Sequence, residues 1–477
     1  MRRPEPTHEP PLSPRAWLGL IGLLLVATAG LVAGLVARPG TEALHAQQGA
    51  GGTSLICSAF GGAPPYRFDT FEATRDRAPY LSAQRLAASN ALLASDAAFA
   101  LPPIETGPSA QRSQQAGAVV PEVLLHAIGW IESRLNQAAI QVPYEGTGPT
   151  LISSSCAYGL MQVASLFSNQ GDAPSRVEAL AGTHYAYNIA AGAQALVEKW
   201  NGDLFPVVGL GQSEFIESWY YAVWAYNGWA TSNHPAGPDV DPFRQLPYDC
   251  ARPFNGYAYQ ELVIGCLINP PSVDGVQLWP AVPAQHPDLA TLAQLAGPLD
   301  PEHFFAGWAR VLSFAAGDTQ PFDAMALPLA PGALPYRAPL VSVASEAERR
   351  TIFGAPRADV DAAPLRLQVT DDFVTTASLS IGNLADGLVV YRLEADRSWI
   401  RLSTDAGVAV GSPPGTAGGA PATVLVEADV EGLPAGIYQG TILVEVLLPS
   451  GVVETTRVTV VLDKQGVPRY QAGSPQS

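Results

Sequence analysis

From Pro121 onward, Leu124, Ala127, Ile128, Ile131 and Leu135 recur at steps of three and four, which predicts an amphipathic helix whose buried stripe runs out beside Glu132 and Ser133. Pro121 suits the first turn, where its missing N–H would go unpaired anyway. Further helical periods fall at 81–99, 174–200, 213–227, 287–297 and 301–316, so the region from 120 to 316 reads as mainly α. After residue 365 the period changes to two. In "TILVEVL" (441–447) Ile442, Val444 and Val446 share one face, and Val458, Val460 and Leu462 repeat the pattern in "TTRVTVVLD". With "SLSIGN", "LVVYRLEA" and "ATVLVEADV" between turn signals, this predicts a β-sandwich of about seven strands.

Ahead of both regions, Arg2, Arg3 and Arg15 precede an uncharged apolar run from Ala16 to Ala37. As a helix it would reach about 33 Å, enough for a bilayer core of about 30 Å. The run fits a retained signal anchor with its N-terminus inside, or a signal cleaved after Ala46. Either places the body in the cell envelope, outside the cytoplasm, and the anchor makes the membrane a partner. The boundaries that follow are 1–37 for tip and anchor, 38–104 for a Gly/Pro/Thr-rich stalk and lead-in, and 105–317 for the helical domain. A Pro/Ala-rich linker or wrapping arm fills 318–365, the sandwich 366–463, and a disordered tail 464–477.

Composition narrows the function classes. The 477 residues are 47% hydrophobic and 14% charged, so most of the chain can bury a core, and 45 Gly with 43 Pro imply much loop. A net charge of −17, with lysine only at 199 and 464, argues against nucleic acid as a partner. Cys57, Cys156, Cys250 and Cys266 fit an exported chain; three pairings are open, of which Cys250 with Cys266 closes the short loop. No CxxC occurs, and His126, His184 and His234 lack ligand spacing, so neither a metal nor another cofactor is expected.

Four segments carry the chemistry: "VVPEVLLHAIGWIESRLN" with Glu132 and Ser133, "AYGLMQVAS" with Met161 and Gln162, "YNIAAGAQAL" with Asn188 and Gly192, and "YAVWAYNGW" with Tyr226 and Asn227. Their order and content resemble the catalytic domain of the soluble lytic transglycosylases, relatives of goose-type lysozyme. The resemblance covers roughly 105–270. It implies an α-helical, lysozyme-like catalytic domain with a sugar-binding cleft, which with the apolar run and the alternating region makes the expected chain multidomain: an N-terminal transmembrane helix, the lysozyme-like domain, then an all-β immunoglobulin-like sandwich. It further implies that Glu132 alone serves as acid and base, cleaving the bond between N-acetylmuramic acid and N-acetylglucosamine in peptidoglycan glycan strands to leave a 1,6-anhydro end. Ser133, Met161, Gln162, Tyr226 and Asn227 would line or bind the substrate, Tyr226 also positioning Glu132. A proton donor of this kind asks for a carboxyl raised by about 2 pKa units, and apolar neighbours such as Ile131, Leu160 and Met161 are the surroundings that do so.

The pattern also departs from that family. A longer insert, "QVPYEGTGPTLISSSC", precedes "GLMQ", and Val163-Ala164-Ser165 stands where a proline is common. The insert carries Glu145, which in the alternative reading activates water and makes the enzyme a hydrolase of the same bond. A further alternative is an inactive wall-binding or adhesion protein. Residues 366–463 resemble a BACON-type, immunoglobulin-like module through "SWIRLS" and "EGLPAGIYQGTILVEV", where Trp399 serves as core or as a sugar platform.

Overall fold

In the computed structural model of the chain, the structure describes residues 64–107, 112–114, 117–168, 171, 173–202, 211–228, 233–235, 237, 239–287, 335–339, 346–370, 373–411 and 419–465. The apolar run at 16–37 and the expected helices at 288–297 and 301–316 lie outside them. Among the described residues no helix is long and apolar enough to cross a membrane.

The helices are short, and each stop has a local cause. Helix α1 (Ala78–Ala88) begins behind Arg77, in the left-handed region, and gives way to turns before residue 99. Helix α2 (Glu122–Ser133) follows Pro121 and ends where Arg134 turns left-handed, its N–H returning to the Gly129 and Trp130 carbonyls. The period at 174–200 splits into α3 (Arg176–Thr183) and α4 (Tyr185–Asn201). Ser175 and Glu178 form a capping box at the start of α3, while His184 stays extended and its Nδ1 accepts from the Ala186 N–H to start α4. A 3-10 turn (Ile216–Trp219) leads into α5 (Tyr220–Tyr226). Helix α6 (Tyr259–Ile268) opens with Glu261 reaching back to the Ala258 N–H, and α7 (Glu346–Phe353) lies against α1 through Arg85–Glu348.

Strand β1 (Asp69–Phe71) pairs antiparallel with β2 (Thr147–Pro149). The sandwich follows as β3 (Ala358–Val360), β4 (Leu365–Thr370), β5 (Phe373–Val374), β6 (Ala377–Asn383), β7 (Leu388–Ala395), β8 (Ile400–Leu402), β9 (Ala406–Val410), β10 (Ala422–Ala428), β11 (Gly436–Leu447) and β12 (Val453–Lys464). One sheet has the order β8-β10-β6-β3 and the other β9-β7-β11-β12-β4-β5, with β12 and β4 parallel. Ile442, Val444, Val446, Val458, Val460 and Leu462 fill the space between the sheets, and Trp399 is buried with them. Each such side chain contributes about 1.5–3 kcal/mol by leaving water.

The expected pairing of a free-standing lysozyme-like α domain with a separate sandwich is corrected by this arrangement. Among the described residues sixteen strands accompany seven α-helices, the longest of seventeen residues. All belong to one compact unit. Strand β7 is buried on both faces: Val389, Tyr391 and Leu393 point between the sheets, while Leu388 and Val390 join Ala406, Val408 and Leu447 in the core that the helices also build. Phe68 pairs with Ala406 in a parallel bridge, Arg67 grips Asp405, and Arg392 donates to the Pro174 carbonyl. Segment 136–163, assigned to the α region, instead closes its backbone bonds through β1–β2 and single bridges such as Ala138–Thr150 and Tyr158–Val163.

Candidate functional site

Glu132 occupies the last turn of α2, and three other segments close around it. The Tyr259 hydroxyl, from the first residue of α6, donates to Glu132 Oε1 at 2.5 Å. Asn227, just past α5, hydrogen-bonds the same carboxyl. Asn233 Nδ2 donates to Asn227 Oδ1 at 3.2 Å, which leaves the Asn227 amide N–H to face Glu132. Although Glu132 is solvent-reachable as a residue, its carboxyl is densely surrounded. Burial pushes its pKa up to about 7, against the opposing pull of Tyr259 and Asn227. Among the described residues no second carboxylate contributes to that shift.

The loop 158–163 backs the site, held by α4. Asn188 Oδ1 accepts from the Met161 N–H at 2.8 Å, and its Nδ2 donates to the Tyr158 and Ala181 carbonyls. Gly159 lies at φ +70, and a Cβ there would stand 2.5 Å from Asn188 Nδ2; one on Gly192 would stand 2.5 Å from Met161 Cβ. Close approach of backbone to helix therefore requires both glycines.

The six residues singled out from sequence meet here in different roles. Glu132 and Asn227 share a hydrogen bond. Tyr226 does not reach the carboxyl as a donor; its hydroxyl donates to the Met161 carbonyl at 2.8 Å and so braces the loop. Ser133 is buried, with Oγ 2.7 Å from the Leu160 carbonyl oxygen and 3.0 Å from that of Gly129, so it clips helix to loop instead of offering a hydroxyl to a sugar. Met161 is fully buried core. Gln162, left-handed at φ 47, spends its Nε2 on the Gly159 carbonyl while remaining half-buried at the loop's edge. Glu145 is exposed, its N–H bonded to the Glu72 carbonyl at the end of β1–β2, and no hydrogen bond joins it to Glu132, Tyr259 or Asn227. His126 and His184 are buried, and burial lowers both to about 3. Among the described residues no three His, Cys, Asp or Glu side chains are grouped to hold a metal ion.

Tyr259 was not legible from sequence, because a tyrosine opening an apolar helix has no pattern of its own. Its anchorage is elaborate. Arg244 clamps Glu261 with Nε to Oε2 at 2.6 Å and Nη2 to Oε1 at 2.5 Å, and also donates to the Pro235 carbonyl. Gln260 donates to the Asn233 carbonyl at 2.8 Å, and the Cys250–Cys266 disulfide ties the 243–257 loop to α6. Cys156 is disulfide-bonded as well.

Just beyond the acid, Arg134 sits at φ 58, a left-handed position that costs a side-chain-bearing residue about 1–2 kcal/mol. Its guanidinium lies 4.0 Å from the Phe254 ring centroid and 5.0 Å from that of Trp130, and it meets the Tyr248 hydroxyl. Burial pulls its pKa down.

No family model matches the chain, and no curated protein matches it. Solved structures similar to part of it include the YadV chaperone (9% identity, 23% of this chain and 53% of that one, TM-score 0.19). The periplasmic chaperone SfaE aligns at 11% identity over 24% of this chain and 62% of that one, TM-score 0.19. A Bacteroides ovatus GH5 xyloglucanase aligns at 15% identity over 24% and 20%, TM-score 0.16. The chain thus spans about half to three-fifths of those chaperones. The resemblances to lytic transglycosylases and to a BACON-type module are thereby overturned: no family model matches the chain, and among the described residues it is rich in strands with few helices.

Proposed function

We propose that the protein cleaves the β-1,4 bond between N-acetylmuramic acid and N-acetylglucosamine in peptidoglycan, with Glu132 as its one acid and base. The observation that carries the reading is the Glu132 carboxyl at the end of α2, bonded by the Tyr259 hydroxyl and raised by burial to about 7, with no second carboxylate among the described residues contributing to that rise. Near neutral pH such a group is half protonated, so it can give a proton to the glycosidic oxygen and then take one back. Two-carboxylate mechanisms place the pair about 5–9.5 Å apart. A lone acid suits a sugar that supplies the second role itself, as a 2-acetamido group does by stabilising the anomeric cation. The muramoyl 6-hydroxyl then closes on C1 as Glu132 takes its proton, leaving a 1,6-anhydro end.

Mass analysis of muropeptides released by the full chain tests this. Anhydro ends that vanish in Glu132→Gln are expected. Reducing ends would replace ring closure by attack of water, and no release by the wild type would leave a wall-binding protein.

A further inference from the structure

We infer that Asn233 is a positioning residue for the acid: its side-chain amide fixes the orientation of Asn227, so that Asn227 presents its N–H, and not its carbonyl oxygen, to the Glu132 carboxyl. This rests on the reading of Glu132 as a glycosidic acid and extends it to what keeps that acid in its working protonation range.

The orientation of the Asn233 amide follows from its neighbours. Its Nδ2 donates to the Gly228 carbonyl at 3.1 Å and lies 3.5 Å from the Asn227 carbonyl oxygen, and a backbone carbonyl can only accept. The same nitrogen donates to Asn227 Oδ1 at 3.2 Å, so the oxygen end of the Asn227 amide faces Asn233 and the N–H end is left for the Glu132 carboxyl. Asn233 is buried, and its own carbonyl accepts from Gln260 Nε2 at 2.8 Å. Two residues on, the Pro235 carbonyl accepts from Arg244 Nη2 at 2.9 Å, and Glu261 clamps Arg244. The three consecutive residues that open α6 therefore govern both donors of the acid: Tyr259 by a direct bond, Gln260 and Glu261 by holding the segment 233–235 that orients Asn227.

With an N–H toward it, the Glu132 carboxylate is favoured against the burial that raises its pKa; with the Asn227 amide turned over, an oxygen would face it and the protonated form would gain. The titratable groups that face Glu132 are the Tyr226 and Tyr259 hydroxyls, and burial holds both well above the usual tyrosine range, so neither ionises while Glu132 titrates. Among the described residues no charged side chain contributes to the Glu132 shift.

The Glu132 carboxyl is titrated by 13C NMR in the full chain, its signal being the one absent from Glu132→Gln, so the readout does not depend on cleavage. Wild type is expected to titrate near 7. Asn233→Asp replaces the donor by an acceptor that draws the Asn227 N–H away, and the Glu132 pKa is expected to rise by about one unit, the worth of one hydrogen bond to a charged group. Asn233→Leu removes the donor without adding a charge and moves the titration the same way by less. In Asn227→Ala chains neither change at position 233 moves it further by more than about 0.3 unit, the scatter of independent sites, since no amide is left to turn. A packing role alone would lower the unfolding temperature and leave the titration in place. Should the wild type cleave nothing, only the reading of Glu132 falls, and the titration still decides Asn233. Where it does cleave, the limb of the pH–rate profile that reports loss of the acid moves up with the titration. If Asn233→Asp fails to fold, Asn233→Leu with and without Asn227 decides by the same comparison. A Glu132 pKa unchanged by substitution at 233, or an equal rise with and without Asn227, overturns the inference.

Discussion

The Tyr259 hydroxyl and Glu132 Oε1 lie 2.5 Å apart, so the acid at the end of α2 is held by the opening residue of α6, 127 positions along the chain. The bond favours the carboxylate and so restrains the rise that burial causes.

Removing that bond moves the titration in a definite direction. In Tyr259→Phe the carboxylate loses a donor, and the Glu132 pKa is expected to rise by about one unit, the worth of one hydrogen bond to a charged group. The limb of the pH–rate profile that reports loss of the acid shifts to higher pH by the same amount. A profile that keeps its limb while rate falls would mean Tyr259 does not bond the reacting carboxyl.

Glu132→Gln abolishes the proton transfer and is expected to lower the cleavage rate at least about 100-fold. Muropeptide release over time measures this.

The same substitution changes the pH dependence of stability. Because the folded pKa is raised to about 7, the protonated residue's contribution is fully present below the unfolded value of about 4.5. It is lost as pH climbs through about 7. Denaturant unfolding of Glu132→Gln should therefore match wild type near pH 4.5 and exceed it above pH 7. The ceiling is about 3 kcal/mol at 1.36 kcal/mol per unit, reduced by the solvent that reaches the carboxyl. A constant difference across this window would remove Glu132 as the source.

Opening the Cys250–Cys266 bridge by the double change to serine frees the loop that Arg244 and α6 share. A loss of about 3 kcal/mol in unfolding free energy is expected for a loop of this length. The acid limb of the pH–rate profile should broaden as Tyr259 loses its footing.

Ala406→Glu places an unpaired charge where Phe68, Leu388 and Val408 meet. Helix and sandwich signals in thermal unfolding should fall together, at a temperature lowered by several degrees. Loss of sandwich signal alone would mean the two parts are not one cooperative unit.

Much of the local structure was legible. Steps of three and four located α2, and the alternation at 441–447 and 458–462 identified the side chains between the sheets, because a half-buried surface writes its period into the chain. The run "LVVY" in β7 shows the limit. It reads as an apolar strand, but nothing in it says that Val389 and Val390 serve different cores, since a strand covered on both faces has no contrast to display. The site divided similarly: Glu132 stood out as a charge at the edge of an apolar stripe, whereas Ser133, equally conspicuous, proved to be a buried clip.

By itself the chain's periodicity determined where helices and strands could form, and its composition determined that they could bury a core. Tertiary structure alone decided that helices and sheet share that core, that Tyr259 and Asn227 grip Glu132, and that Ser133 is spent on the Leu160 carbonyl. Periodicity is a property of neighbours in sequence, whereas the pKa of a carboxyl is set by whatever the fold brings within a few ångströms of it.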